Sequence, residues 1–276
     1  MNTFHPTPPP PARRKHARFA LPPSVGADEA TQRAERLEAY LSKKLGTAFE
    51  VVVAESYESL ARDLLAGRID AAWAPPFVCA RIEAMGVRVL VRGIRQGAAS
   101  YRAALVCRRG TQLSLDNLSG KKAVWTDRQS VGGYLLAVAY LRAKGVDPSR
   151  VLESQAFAGS YRAALEAVVA GQADLTSIFA PPARAPNAAS ALSELLPHQE
   201  DAIDIVAYTE ESPNDGVAVS MSASVEWVAQ LEKTFLALTA SGEGQSLLKD
   251  TFNAEAFETA PRMGYRSLYR VALAGS

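Results

Sequence analysis

The chain has 276 residues, 48% of them apolar and 21% charged, and a formal net charge of +1. That is the composition of a folded globular protein with ample length to bury a core, and the near-neutral balance excludes electrostatic capture of nucleic acid or an anionic membrane as its main mode of action. Two cysteines in apolar runs (Cys79, Cys107) and three scattered histidines (His5, His16, His198) exclude a disulfide framework and give no metal-ligand spacing, so no metal and no cofactor is expected.

Residues 1–16 read as a disordered leader, with four consecutive prolines and a basic cluster. They contain no apolar stretch of signal-peptide length, so the chain is expected in the cytoplasm, or in the periplasm if an export signal has been trimmed. No run is long enough for a membrane span. A first strand is expected at 17–21, closed by Pro22-Pro23-Ser24. Ala30, Ala34, Leu37, Leu41 and Leu45 then recur at helical spacing up to Gly46. A buried-type strand from Phe49 to Ala54 leads to a helix opening at Ser56-Tyr57-Glu58 and ending at Gly67. Strand 69–73, a short helix from Pro76 to Met85 and a strand near 87–92 complete a β-α-β-α-β-α-β series. Such alternation demands a mostly parallel sheet covered on both faces.

A second series follows: strands 102–107 and 121–126, a helix from Val131 to Lys144 with Leu135, Leu136, Val138 and Leu141 inward, strand 151–157, helix 160–170 and strand 174–179. After a polar, proline-bearing stretch (181–200) comes a strand at 203–208. From about Ser224 the chain reads as helical. Val225, Val228, Leu231, Phe235 and Leu238 mark one helix, and Ser241–Lys249 another.

One passage occurs twice. Residues 60–76 (LARDLLAGRIDAAWAPP) and 164–182 (ALEAVVAGQADLTSIFAPP) each give an apolar-faced helix, a stopping glycine (Gly67, Gly171), an aspartate (Asp70, Asp174), a strand and Ala-Pro-Pro. A unit built twice implies two α/β lobes, and two lobes make a cleft. The expected division is residues 17–100 plus 209–276 for lobe 1 and 101–208 for lobe 2, joined by two crossing strands that act as a hinge.

Several segments together resemble the phosphate/phosphonate-binding family of ABC-importer periplasmic proteins. They include Tyr101-Arg102, Leu118-Ser119-Gly120-Lys121, Asp127 through Tyr134, Lys144 through Pro148, Phe157 through Ser160, Ala170 through Asp174 and Ser212-Pro213-Asn214-Asp215. The resemblance covers roughly residues 17–270. It implies a type II periplasmic-binding-protein fold, α/β in class, with a ligand cleft between two lobes and closure on binding. In that family an anion is held at a helix N-terminus by a Ser-Thr-Ser-Gly turn. Here the turn reads Ser130-Val131-Gly132-Gly133; the family's Tyr, Tyr-Arg-Ser and Gly-Ser-His-Asp positions become Phe77, Tyr101-Arg102-Ala103 and a stretch with Tyr161-Arg162. One lost hydrogen bond to a charged oxygen costs about 1.5–3 kcal/mol, so several losses are expected to abolish tight phosphonate binding.

Ligands in open α/β folds sit beyond the carboxyl ends of the strands. Reading those ends gives Tyr57, Trp73, Phe77, Trp125, Arg128, Ser130, Ser160, Tyr161, Arg162 and Phe179 as candidate ligand residues, and the resemblance adds Tyr101, Gly132 and Gly133. Aromatic walls beside guanidinium groups suit an anionic, flat ligand. Three classes of function follow. The first is a cytoplasmic sensor or solute binder for a small anion, with a signalling or transport protein as partner. The second is a lyase, dehydratase or cyclase, as in chorismate dehydratase of the same architecture, with Glu55 and Asp127 as acid–base candidates. The third is a ligand-free scaffold for a protein partner.

Overall fold

The computed structural model describes residues 16–23, 27–183, 192–193 and 195–269. The leader through residue 15, and Ser24, lie outside the described residues. Strand β1 (His16–Leu21) is followed by helix α1 (Ala27–Leu45), β2 (Ala48–Val53), α2 (Tyr57–Leu65), β3 (Ala71–Ala74), α3 (Pro76–Glu83) and β4 (Arg88–Ile94). The apolar stripe of α1 is buried at Ala34, Leu37, Tyr40 and Leu41, and Gly46 stops the helix at a φ of 62°. Helix α2 starts on a capping box: Ser59 N donates to Ser56 Oγ and Ser56 N to Ser59 Oγ, each at 3.0 Å.

The second series is β5 (Ser100–Arg108), β6 (Lys122–Trp125), a wide helical turn (Val131–Leu135) running into α4 (Leu136–Ala143), the single turn α5 (Pro148–Val151), β7 (Ser154–Phe157), α6 (Tyr161–Val169), β8 (Leu175–Ala180) and β9 (Ile203–Pro213). The chain then returns through β10 (Gly216–Val219), α7 (Val225–Leu236), α8 (Gly242–Phe252) and β11 (Ala256–Thr259). Two sheets result, ordered β11-β4-β10-β3-β1-β2 and β7-β6-β8-β5-β9.

The repeated passage does the same work in each sheet. Asp70 takes the N–H of Arg18 on its carboxylate and gives its own N–H to the Arg18 carbonyl, each at 2.8 Å. Asp174 does the same with Lys122, again at 2.8 Å both ways. The aspartate thus ties the end of each helix–turn unit to the start of a neighbouring parallel strand. Gly67 and Gly171 supply the left-handed turn before it, with φ of 69° and 73°. Ser56-Tyr57 and Ser160-Tyr161, one serine–tyrosine pair per lobe, open the two equivalent helices.

Four expectations change. The first sheet is mixed rather than mostly parallel, because only β1 pairs in parallel, with β2 and β3, while β10 and β11 insert antiparallel to their neighbours. Strand β9 does not end at 208: it pairs with β5 as far as Ser100↔Pro213, so the second sheet gives way to the first between Pro213 and Gly216. Strands β10 and β11 were not expected. Both run antiparallel to β4, and β10 fills the space between β3 and β4 with four buried residues, GVAV. Val225 is 80% exposed rather than inward, because it sits in the first turn of α7, where Trp227 takes the buried position.

Two segments cross between the sheets. Asn214 holds them side by side: its Nδ2 donates to the carbonyls of Gly93 and Ala98, both at 2.9 Å, and its N–H donates to Ala99 O. Its carbonyl accepts from Tyr265 Oη at 2.6 Å. Every polar atom of Asn214 named here is bonded, which pins the hinge.

Candidate functional site

Between the lobes the chain brings together the turn after β6, the start of α6 and the ends of β5 and β8. Ser130 caps the turn, its Oγ accepting from Gly133 N at 3.1 Å, while Leu135 N reaches back to Ser130 O at 3.0 Å. The two glycines answer two different crowding problems. A Cβ on Gly133 would meet Thr126 Cβ at 2.6 Å and Ser130 Oγ at 2.8 Å. One on Gly132 would lie 2.9 Å from Tyr161 Oη and 3.3 Å from Tyr101 Cε2. Ser177 Oγ donates to the Gly132 carbonyl at 2.7 Å and fixes the turn to β8.

On the hinge side of this turn lies a cavity of about 720 Å³. Tyr101, Tyr161 and Phe179 form its aromatic wall, with the Tyr161 and Phe179 rings edge to face at 5.4 Å. Helix α8 also lines it, through Gln245 and Lys249, and the crossing segment lines it through Arg95. Arg95 is ion-paired with Asp215 and donates from Nε to Asn253 O at 2.7 Å. Lys249 is exposed and forms no ion pair among the described residues; its neighbour Asp250 is held instead by Arg36 at 2.9 Å. Glu255 accepts the N–H groups of Gln96 and Gly97 and so shapes the turn beside the cavity.

Burial pushes the phenols of Tyr101 and Tyr265 well above the ordinary tyrosine value of 10.0, and that of Tyr161 above it as well; Asp215 adds to all three. They are therefore neutral hydrogen-bond donors at physiological pH. The native state holds these protons more tightly than the unfolded chain does. Their contribution to stability is whole below pH 10.0 and is lost as pH rises through the raised values. Urea unfolding midpoints are expected to fall as pH rises above 10.0, and less steeply in Tyr265→Phe. A midpoint unchanged over that range would contradict the burial of these phenols.

The structure separates the residues expected in one cleft. Tyr101, Tyr161 and Phe179 line the cavity. Ser130, Gly132 and Gly133 form the turn beside it. Tyr57 and Phe77 belong to a buried apolar cluster that also holds Val131, Leu135 and Leu136, so the lobes meet there through side chains. Gln129 Nε2 bridges the lobes nearby, donating to Glu58 Oε1 at 3.1 Å. Arg128 lies over the Phe157 ring at 4.6 Å, Ser160 caps α6 through Ala163 N, and Arg162 is exposed; none of the three lines the cavity. Glu55 and Asp127 are exposed outside it, with Asp127 accepting from Gln129 N.

Two expected walls are core instead. Trp73 packs edge to face on Phe252 and Phe257, with ring centroids 5.2 and 5.5 Å away. Trp125 is fully buried, edge-on to Tyr134, with Nε1 donating to Gln155 Oε1 at 2.9 Å. Both stand on interior strands of their sheets, Trp73 packed among Phe252 and Phe257 and Trp125 within the cluster that joins β5, β6 and β8 to α4. Sequence reasoning missed Arg95, Gln245 and Lys249. Asn214 and Asp215 stood in a recognised motif without an assigned role.

The family profile of ABC-transporter phosphonate periplasmic substrate-binding proteins matches residues 19–265. The chain belongs to this family. Solved structures with the same fold include the XAC2383 protein of Xanthomonas citri bound to ATP, at 18% identity and a TM-score of 0.77, covering 95% of this chain and 96% of that one. A binding-protein component of an ABC phosphonate transporter from Pseudomonas aeruginosa is 17% identical, with a TM-score of 0.68 and coverage of 95% and 87%. PhnD1 of Prochlorococcus marinus in complex with methylphosphonate is 16% identical, with a TM-score of 0.71 and coverage of 94% and 98%. The phosphonate-binding family thus accounts for the two-lobed architecture of the periplasmic-binding-protein type. Among the described residues of this family member, no helix is long and apolar enough to cross a membrane.

Proposed function

We propose that the chain binds an organic anion larger than a simple phosphonate in the hinge-side cavity, and acts as a solute binder or sensor. The observation that carries this reading is the cavity itself. Its volume of about 720 Å³ is that of a site for a drug-sized molecule, and it brings aromatic faces and Lys249 into one lining, with neutral phenols ready to donate. An anionic group would be met by Lys249 and the phenols, and a flat ring by Phe179 and Tyr161. Among relatives of this fold one is bound to ATP and another to methylphosphonate, and the cavity favours the larger class.

A thermal-shift series with phosphate, methylphosphonate, salicylate and ATP tests this. A ligand present at one hundred times its dissociation constant adds about 2.7 kcal/mol to native stability. Stabilisation by salicylate or ATP and not by the two small oxyanions is expected. Stabilisation by phosphate and methylphosphonate alone would make this an ordinary phosphonate binder, and silence across the series would remove the binding function. A cytoplasmic site of action is part of the proposal, with a signalling or transport protein as partner; release of the chain by osmotic shock would overturn that placement.

A further inference from the structure

The first turn of the helix that begins at Val131 is equipped for an oxyanion and already occupied. The amino end of a helix carries unsatisfied N–H groups and positive potential. Ser130 Oγ lies at that end, and Thr126 Oγ1 lies against Gly133, 93% buried at the residue level and with no hydrogen-bond partner among the described residues. Into this turn projects Tyr161. Its hydroxyl stands 3.3 Å from Ser130 Oγ and 2.9 Å from where a Cβ of Gly132 would be, so no second oxygen fits over Gly132 while the phenol is there. Because Ser130 Oγ already accepts from Gly133 N, its own hydrogen is free to point at the Tyr161 oxygen, as it would point at an oxygen of an anion.

We infer that Tyr161 is a specificity-determining plug: its hydroxyl fills the oxyanion position of the Ser130–Gly133 turn, so small tetrahedral oxyanions are refused there and an anionic ligand is directed to the hinge-side cavity. The inference rests on the proposed reading of the cleft only in its last clause. The plug consists of bulk and an oxygen placed on the turn, whatever the cavity holds.

The test compares wild type, Tyr161→Val, Tyr161→Ala and Tyr161→Phe by calorimetric titration with inorganic phosphate, after circular dichroism and thermal unfolding show which variants are folded. Wild type is expected to show no heat with millimolar phosphate, and Tyr161→Phe, which keeps the ring and drops the oxygen, less heat than the small-residue variants. The variant that is folded of Tyr161→Val and Tyr161→Ala is expected to gain at least about tenfold in phosphate affinity, the scale of one charged hydrogen bond. Adding Thr126→Val to that variant should take most of the gain away. Folded small-residue variants that gain nothing, or a wild type that binds phosphate equally well, would overturn the plug. If wild type takes salicylate or ATP while the variants gain no phosphate, only the plug falls. If the variants gain phosphate while wild type takes no organic anion, only the proposed function falls.

Discussion

Trp125→Ala is expected to lower folding stability by about 3–5 kcal/mol, the usual cost of truncating a buried large aromatic. The indole is fully buried, and its ring meets Tyr134 edge to face at 5.7 Å. The cavity left behind would be lined by the Leu105, Leu118, Leu141 and Leu175 cluster that joins β5, β6 and β8 to α4. A strand on one side and helices on the other give that space little freedom to collapse. The substitution also strips Gln155 Oε1 of its donor, a small addition because Gln155 is exposed. Trp125→Phe should cost much less, since it keeps most of the volume. Urea unfolding at matched m-values measures both; a loss below about 1 kcal/mol for Trp125→Ala would return the indole to the ligand wall.

The second large effect falls on binding. Lys249→Ala is expected to weaken the organic anion that stabilises the chain by about ten- to a hundredfold, with stability within about 0.5 kcal/mol of wild type. The reason is an asymmetry between two cations at the same cavity. The charge of Arg95 is already spent on Asp215, and its Nε on the Asn253 carbonyl. Among the described residues Lys249 has no such partner, and it stands on the exposed face of α8. Burying its ammonium against a ligand carboxylate or phosphate replaces water with a charge-assisted bond. Arg162→Ala is the control: Arg162 lies outside the cavity, and its removal should leave affinity unchanged. Titration calorimetry on the two variants separates the cases, and equal loss in both would point to long-range charge rather than a contact.

Much of the fold was legible because the elements carry their own periodicity. The α1 stripe, the Gly67 and Gly171 stops and the twin aspartates each encode a local geometry that tertiary packing did not override. Strand β10 was not legible, since GVAV is four residues long and its place between β3 and β4 is fixed by pairing with strands more than a hundred positions earlier. The Trp73 and Trp125 assignments failed for a related reason. Period-2 alternation assigns residues to opposite faces of a strand but says nothing of which face meets the cleft when both are covered. Tyr161 and Phe179 came together because a helix start and the carboxyl end of a strand point toward a cleft, whereas Tyr101 stands at the amino end of β5 and was marked by the family resemblance. Lys249 and Arg95 were invisible because the cavity joins the face of α8 to a crossing segment, and no spacing in the sequence links the two.

A crystal structure of the full chain grown with salicylate or ATP, whichever gives the larger thermal shift, tests the central claim most directly. The account predicts the ring against Phe179 and Tyr161, the anionic group within hydrogen-bond reach of Lys249, and Tyr161 still seated on Ser130. A ligand whose anionic group lies on the Ser130–Gly133 turn with Tyr161 swung away, or one bound outside the cavity, would contradict it.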